Sequence, residues 1–393
     1  MRSRFVVFSL GQAISTFGNG MAPVALAFTM LGIGGSASDL GLALAAREIV
    51  GAAVGLLAGV AADRWLHRTT IGLGSGICAA SQGAAAWAVL DHQASPLLLT
   101  GLAAVNGVGA AFLSPAVFGA LPRLLTESSR RRDLSLFRLS TTLAVAVGSA
   151  AGGLTVERAN AGIALAIDAA SFVVGGTLLC AAAGRARSSS PENPRRWLDD
   201  LRLGYEALRT QTWAWRVIVA ASLSNACGSG ALSVLGPVVA QETPGFGPAG
   251  WGVVLAAVPI GAILGGLVSL RFPRRRPLRV VTGLLVVQAL PVLALMVHPT
   301  SATVALTILV SSAVTELHTV VWMHSIQQAF SDDVLARVWS WDETVSGGLQ
   351  PFVQIVVGPV TAIVGRTPVL GLAAMVMIAT VPYQLRDADL RTR

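Results

Sequence analysis

Long apolar runs recur along the whole chain, and the arginines fall in every second gap between them. A hydrocarbon core of roughly 30 Å is crossed by about 20 apolar residues in a helix. Twelve runs of that kind can be drawn, at approximately 6–31, 38–62, 70–90, 97–121, 139–157, 161–183, 215–240, 250–270, 278–297, 302–327, 343–364 and 367–385. Only 12% of the residues are charged, against about 25% in a soluble domain. The chain is therefore expected to be an all-α membrane protein of twelve transmembrane helices.

The arginines orient it. The chain has 28 basic residues, all of them arginine. All but Arg47, Arg158 and Arg366 occupy one alternate set of gaps, from Arg2 and Arg4 through Arg64, Arg68, Arg123, Arg130, Arg271 and Arg337 to the tail. Positive charge is retained on the cytoplasmic side, so both termini and the central loop are expected inside. Trp65, Trp197, Trp213, Trp215, Trp339 and Trp341 lie near the same span ends, and Trp251 near an outer one, the depth that amphipathic indoles prefer. The first run, after Met1-Arg2-Ser3-Arg4, reads as an uncleaved first helix. The all-arginine, Ala- and Gly-rich composition suggests a bacterial chain, and hence the cytoplasmic membrane.

Several function classes fall away. The net charge of +8 tracks span boundaries instead of marking one basic face, and no nucleic-acid motif is present. Cys78, Cys180 and Cys227 lie within apolar runs and read as small buried residues, not a disulfide set. His67, His92, His298, His318 and His324 are scattered, and neither a metal-ligand cluster nor a phosphate-cradling loop occurs. No enzyme activity, cofactor or metal is expected.

The chain divides into two six-span halves, 1–184 and 215–393, joined by residues 185–214. Ser188-Ser189-Ser190-Pro191-Glu192-Asn193-Pro194 is a linker signal. Trp197, Leu201, Tyr205 and Leu208 then recur at helical spacing, as in a helix lying on the inner membrane surface, or one that binds a partner. The halves match at an offset of about 207 residues: Gly59, Arg64 and Arg68 align with Gly266, Arg271 and Arg275, and Arg130 with Arg337. A parallel repeat of six spans is a secondary-transporter architecture, with the substrate near mid-membrane.

The segment Gly59-Val60-Ala61-Ala62-Asp63-Arg64-Trp65-Leu66-His67-Arg68 resembles the Gly-x-x-x-Asp-Arg-x-Gly-Arg-Arg loop of the major facilitator superfamily, departing from it at Leu66 and His67. Phe112-Leu113-Ser114-Pro115-Ala116, Ile167-Asp168-Ala169-Ala170-Ser171-Phe172 and Asp332-Asp333-Val334-Leu335-Ala336-Arg337-Val338-Trp339-Ser340 narrow the resemblance to its transmembrane secretion effector branch, which includes enterobactin-exporter-like and macrolide-efflux-like proteins. The resemblance covers nearly the whole chain. It implies efflux of a small molecule, such as a drug, antibiotic or siderophore-like metabolite, by alternating access and proton antiport. It also implies that Gly59, Asp63, Arg64, Arg68 and Arg337 gate the inner side, and that spans 1, 4, 7 and 10 line the cavity. Two departures bear on coupling. Ala103 precedes Gly107-Val108-Gly109 where drug–proton antiporters carry an arginine, and Gly148-Ser149-Ala150-Ala151-Gly152-Gly153 lacks the proline of their fifth-span motif.

Polar side chains within spans are costly and need a partner or a role. Glu316, mid-span 10, is the candidate proton carrier; Ser312, Thr319 and Met323 share its helical face, while His318 points elsewhere. Asn19, Asn106, Asn225, Ser222, Thr319 and Met323 are candidates for the substrate cavity, although Asn and Ser also tie helices together. Arg47 and Glu48 point about 100° apart. Arg47 needs an acceptor, for which Asp168 is one candidate; Asp168 itself reads as structural. Few charges on the cavity spans suggest a neutral or lipophilic cargo. Expected partners are that cargo, protons and lipid, with the chain acting as a monomer. The alternatives are an importer on the same fold, or a membrane sensor or assembly partner without transport.

Orientation is checked by cysteine labelling. With Cys78, Cys180 and Cys227 replaced by alanine, an impermeant maleimide should label Gln93→Cys in intact cells. It should reach Ser189→Cys only after the membrane is opened; the reverse pattern overturns the topology.

Overall fold

The computed structural model describes residues 2–64, 66–127, 129–184, 204–272 and 277–386; at 2, 56–64, 277, 332, 333 and 336 only the backbone is described. Among the described residues every regular element is helical. The first six helices are α1 (Arg2–Gly32), α2 (Ala37–Arg64), α3 (His67–Leu90), α4 (Pro96–Ala120), α5 (Arg130–Arg158) and α6 (Ala161–Ala183). The seventh rod, α7, joins Thr212–Ser229 to Gly236–Glu242 through a π-helical turn, Gly230–Leu235. It is followed by α8 (Gly247–Ser269), and by α9, in which Pro277–Leu284 and Leu290–Val297 flank a 3-10 turn, Leu285–Ala289. Then come α10 (Ser301–Ala329), α11 (Asp332–Gly348 and Gln350–Val364) and α12 (Arg366–Leu385).

Eleven helices among the described residues are long and apolar enough to cross a membrane. The twelfth rod, α2, has 28 residues, ample length at about 1.5 Å per residue. Asp39, Arg47 and Glu48 dilute the hydropathy of its first half. Helix is the expected form, because lipid offers backbone N–H and C=O groups no partner and the chain must satisfy them internally. Local chemistry sets several ends. The Ser95 side chain accepts from Leu98 N at the start of α4, with Pro96 following where its missing N–H costs nothing. Asn160 caps α6 through Gly162 N, and Thr300 and Thr303 form a reciprocal capping box on α10.

The irregular turns were not expected from the apolar pattern. Pro237 follows the π turn and Pro291 the 3-10 turn. A proline has no N–H for the carbonyl one turn back, so the ladder must re-pair around it. Span 5 also starts earlier than the apolar run suggests, because the arginine-rich stretch from Arg130 is already helical.

The chain forms two compact units. The first holds α1–α6 together with Ala240–Ala256. Here α1 packs on α5 and α6, α2 on α4, and α3 on α4 and α6. Small residues permit the close approach, as is usual where lipid removes the hydrophobic drive between helices. A Cβ on Gly175 would lie 2.6 Å from Gly11 O; one on Gly107 would strike Arg47 O, and one on Gly148 would strike Phe17 O. The glycines of the fifth-span motif thus meet two different neighbours. Gly148 and Gly152 face α1, whereas Gly153 faces Gly252, where an added Cβ would sit 2.9 Å from Gly252 Cα. Glu157 Oε2 accepts from Ala249 N at 2.9 Å beside it.

The second unit holds the remaining residues. Its core gathers Leu208, Trp213, Ile218, Leu278, Trp322 and Val338, with Trp213 and Trp322 edge to face at 5.7 Å. Of the expected surface helix, Trp197 and Leu201 lie outside the described residues. Residues 204–210 are helical, Leu208 is buried, and the Tyr205 ring lies 5.7 Å from that of Trp341.

Gly107→Val should split the α2–α4 contact and destabilise the protein by about 1–3 kcal/mol. The Gly266→Ala control, where an added Cβ meets nothing within 4 Å, should melt like the parent in detergent. Equal melting of the two variants would show that the close approach is dispensable.

Candidate functional site

A cavity of about 490 Å³ opens within the second unit, among α7, α9, α10, α11 and α12. That volume lies in the range of small-molecule sites. Helix α10 supplies Thr315, His318, Thr319 and Trp322, the i, i+3, i+4, i+7 stripe of one helical face. Helix α7 supplies Ser224 and Asn225, and the 3-10 turn of α9 supplies Gln288. The tighter turn carries Gln288 to both neighbours. Its Oε1 accepts from Ser224 Oγ at 2.8 Å, and its Nε2 donates to Thr315 Oγ1 at 3.0 Å. One amide thereby links three helices.

Helix α11 brings charge. Asp342 accepts from Trp322 Nε1 at 2.8 Å on one carboxylate oxygen and from Ser346 Oγ at 3.0 Å on the other. Asn225 Nδ2 donates to the backbone oxygen of Ser346 at 3.4 Å. Glu343 lines the same space, and no arginine is among the lining residues. His318 also faces the cavity; it is 8% exposed, and its Nε2 has no hydrogen-bond partner.

The first unit holds a separate buried network. Arg47 Nε donates to Asn106 Oδ1 at 3.0 Å, and Asn106 Nδ2 donates to Ser81 Oγ at 3.3 Å. Ser81 Oγ in turn donates to Cys78 O at 3.0 Å. Asp168, fully buried, accepts from Gln82 Nε2 at 2.6 Å, while Ser171 Oγ donates to the Asp168 backbone oxygen at 2.7 Å. The side-chain acceptor found for Arg47 is thus Asn106, where Asp168 had been one candidate.

The sequence-derived candidates distribute unevenly. Asn225 and Thr319 line the cavity of the second unit. Ser222 is buried with its hydroxyl unpaired. Glu316 is half-buried and Met323 exposed; neither belongs to that lining. His318, expected to point away from the functional face, lies on the lining face with Thr319, one residue off the direction taken by Glu316. Asn106 is buried in the first-unit network, and Asn19 is half-buried. Arg68, in the first turn of α3, has its side chain exposed, and Arg337 is half-buried. Glu48 is exposed. The side chains of Gly59, Asp63 and Arg64 lie outside those described.

Gln288, Asp342, Glu343 and Trp322 were not anticipated. Gln288 had a usable signal, being a lone amide within an apolar run. Asp342 and Glu343 did not, because they sit at the edge of the eleventh run, where charge is ordinary. Among the described residues no cluster could hold a metal ion.

A family model described as Major Facilitator Superfamily matches residues 8–349. No curated protein matches the chain. Among solved structures, a point mutant of the nucleoside transporter NupG is similar with a TM-score of 0.78 at 12% identity, over 98% of this chain and 99% of that one. A point mutant of the peptide transporter POT gives 0.77 at 14% identity, over 99% and 95%. A bacterial homolog of the human lysosomal transporter Spinster, inward-facing and unoccupied, gives 0.68 at 14% identity, over 100% and 96%.

The first-unit network is testable without a ligand. Asn106→Leu leaves the Arg47 charge without its acceptor and should cost about 3 kcal/mol, whereas adding Arg47→Met should recover most of the loss. A double variant as unstable as the sum of the singles, read by thermal melting, would show that the pair is not coupled.

Proposed function

Since the chain belongs to the major facilitator superfamily, we propose that it is a secondary active exporter of a small organic molecule, working by alternating access in a bacterial cytoplasmic membrane. The observation that carries this reading is the cavity of the second unit, whose hydroxyl and amide groups are tied into a fixed array between apolar walls. Such an array orients a ligand without a covalent step. The resemblance to the transmembrane secretion effector branch supplies the direction, outward, and the cargo range, drugs, antibiotics or siderophore-like metabolites. The solved relatives named for nucleosides and peptides lie at 12–14% identity and support the fold alone.

In this reading Asn225 and Thr319 contact cargo, with Asn19 the polar candidate on α1. Glu316 exchanges the coupling proton, because a carboxylate inside a span must be protonated, hydrated or paired at every stage of the cycle. Gly59, Asp63, Arg64, Arg68 and Arg337 latch the cytoplasmic side in one state.

In everted vesicles with an imposed acid interior, the parent should accumulate a labelled cargo drawn from a compound panel, and an uncoupler should abolish accumulation. Glu316→Gln should lower gradient-driven uptake at least about tenfold while inserting and melting normally. Unchanged uptake in that variant removes Glu316 from coupling. Uptake only in right-side-out vesicles would make the protein an importer, and binding without flux in either orientation would make it a sensor.

A further inference from the structure

The chain carries a net charge of +8, yet its second-unit cavity is lined by two carboxylates and by no arginine. We infer that this cavity binds an organic ammonium ion, an apolar body carrying a protonated amine with N–H groups to donate. The inference rests on reading this cavity as the cargo site, and it revises the neutral cargo expected from the apolar spans.

The two carboxylates are held differently. Asp342 has one neutral donor on each oxygen, Trp322 Nε1 and Ser346 Oγ. Those bonds aim the group and leave its charge uncompensated. Glu343 is exposed to the cavity and makes no hydrogen bond or ion pair among the described residues. An unpaired carboxylate in a wall of low polarity favours a cation, since the interaction strengthens as water is excluded.

A second observation is independent of the carboxylates. His318 is more than nine-tenths buried and faces the cavity, and its Nε2 has no partner. A buried polar nitrogen left unmatched is costly. That nitrogen is shut off from the open space as the ring stands; with the ring turned toward the cavity and its proton on Nδ1, Nε2 accepts an N–H from an ammonium ion. The indoles of Trp322 and Trp339 complete the walls, and aromatic faces attract cations as well as apolar surface. Nucleosides and sugars could use the amide and hydroxyl array, but they would leave Glu343 unanswered. An anionic cargo would meet two like charges.

Three ligands of nearly one shape separate these outcomes: 2-(1-naphthyl)ethylammonium, 2-(1-naphthyl)ethanol and 1-naphthaleneacetate. Calorimetric binding to the full chain in lipid nanodiscs, with empty discs subtracted, should rank the ammonium at least about tenfold tighter than the alcohol, or about 1.4 kcal/mol. The carboxylate should bind more weakly than both. Glu343→Gln should remove about tenfold of the ammonium affinity and leave the alcohol unchanged. His318→Phe should also weaken the ammonium. Equal binding of ammonium and alcohol, tighter binding of the carboxylate, or a Glu343→Gln variant that keeps full ammonium affinity would each overturn the inference. Glu343 makes no bond that folding depends on, so that variant decides the matter even where His318→Phe fails to fold. Ammonium binding without flux leaves this inference standing and removes the exporter reading. Gradient-driven flux of panel compounds by a protein that ignores the ammonium does the opposite.

Discussion

A polar group inside a bilayer has no water to return to, and every other feature of this chain follows from that constraint. It forces the backbone into helices that close their own hydrogen bonds. It also makes an intramembrane side-chain donor costly unless it finds an acceptor. Arg47 is the sharpest case, an always-charged group within α2 whose Nε reaches Asn106 at 3.0 Å. The carbonyl of Asn106 accepts the charged donor while its amide passes the load to Ser81 on α3. Three helices are joined through one half-buried charge. Asp168 does the same work between α6 and α3 through Gln82.

Satisfied polar groups need closely spaced helices, and that spacing comes from glycine. Gly107 lies one residue beyond Asn106, and a Cβ there would strike the backbone oxygen of Arg47. The same turn of α4 thus supplies both the acceptor and the gap that lets α2 approach it. In α5 the glycines serve two partners from one helix, Gly148 and Gly152 against α1 and Gly153 against Gly252. The motif's absent proline therefore does not abolish its packing role: the close contact depends on the missing side chains.

Apolar run length and arginine placement made the helical membrane fold legible, because both are read directly by the bilayer and need no tertiary information. Asn225 and Thr319 stood out as polar residues within spans, and both lie on the wall of the second-unit cavity. Legibility failed where three-dimensional packing chooses among neighbours. Facing directions on α10 were assigned around Glu316, whereas the cavity takes the stripe Thr315, His318, Thr319 and Trp322; a single-residue rotation separates the two readings. The π turn in α7 and the 3-10 turn in α9 were equally hidden. Neither changes hydropathy, yet the second is what places Gln288 between Ser224 and Thr315.

The two polar systems differ in how completely they are satisfied, and that difference separates structure from chemistry. In the first unit, charge is answered: Arg47, Asn106, Gln82 and Asp168 each have a named partner, and the network lies in the packed interior. In the second unit the accounting is left open. His318 Nε2 is unmatched, Glu343 is unbonded among the described residues, and Asp342 has only neutral donors. Groups left wanting in this way cost stability if nothing ever answers them. Single hydroxyls and amides are also left unmatched elsewhere, Ser9, Thr29 and Ser75 among them, but around this cavity an unmatched imidazole stands beside two carboxylates, as an intermittently filled ligand site would require.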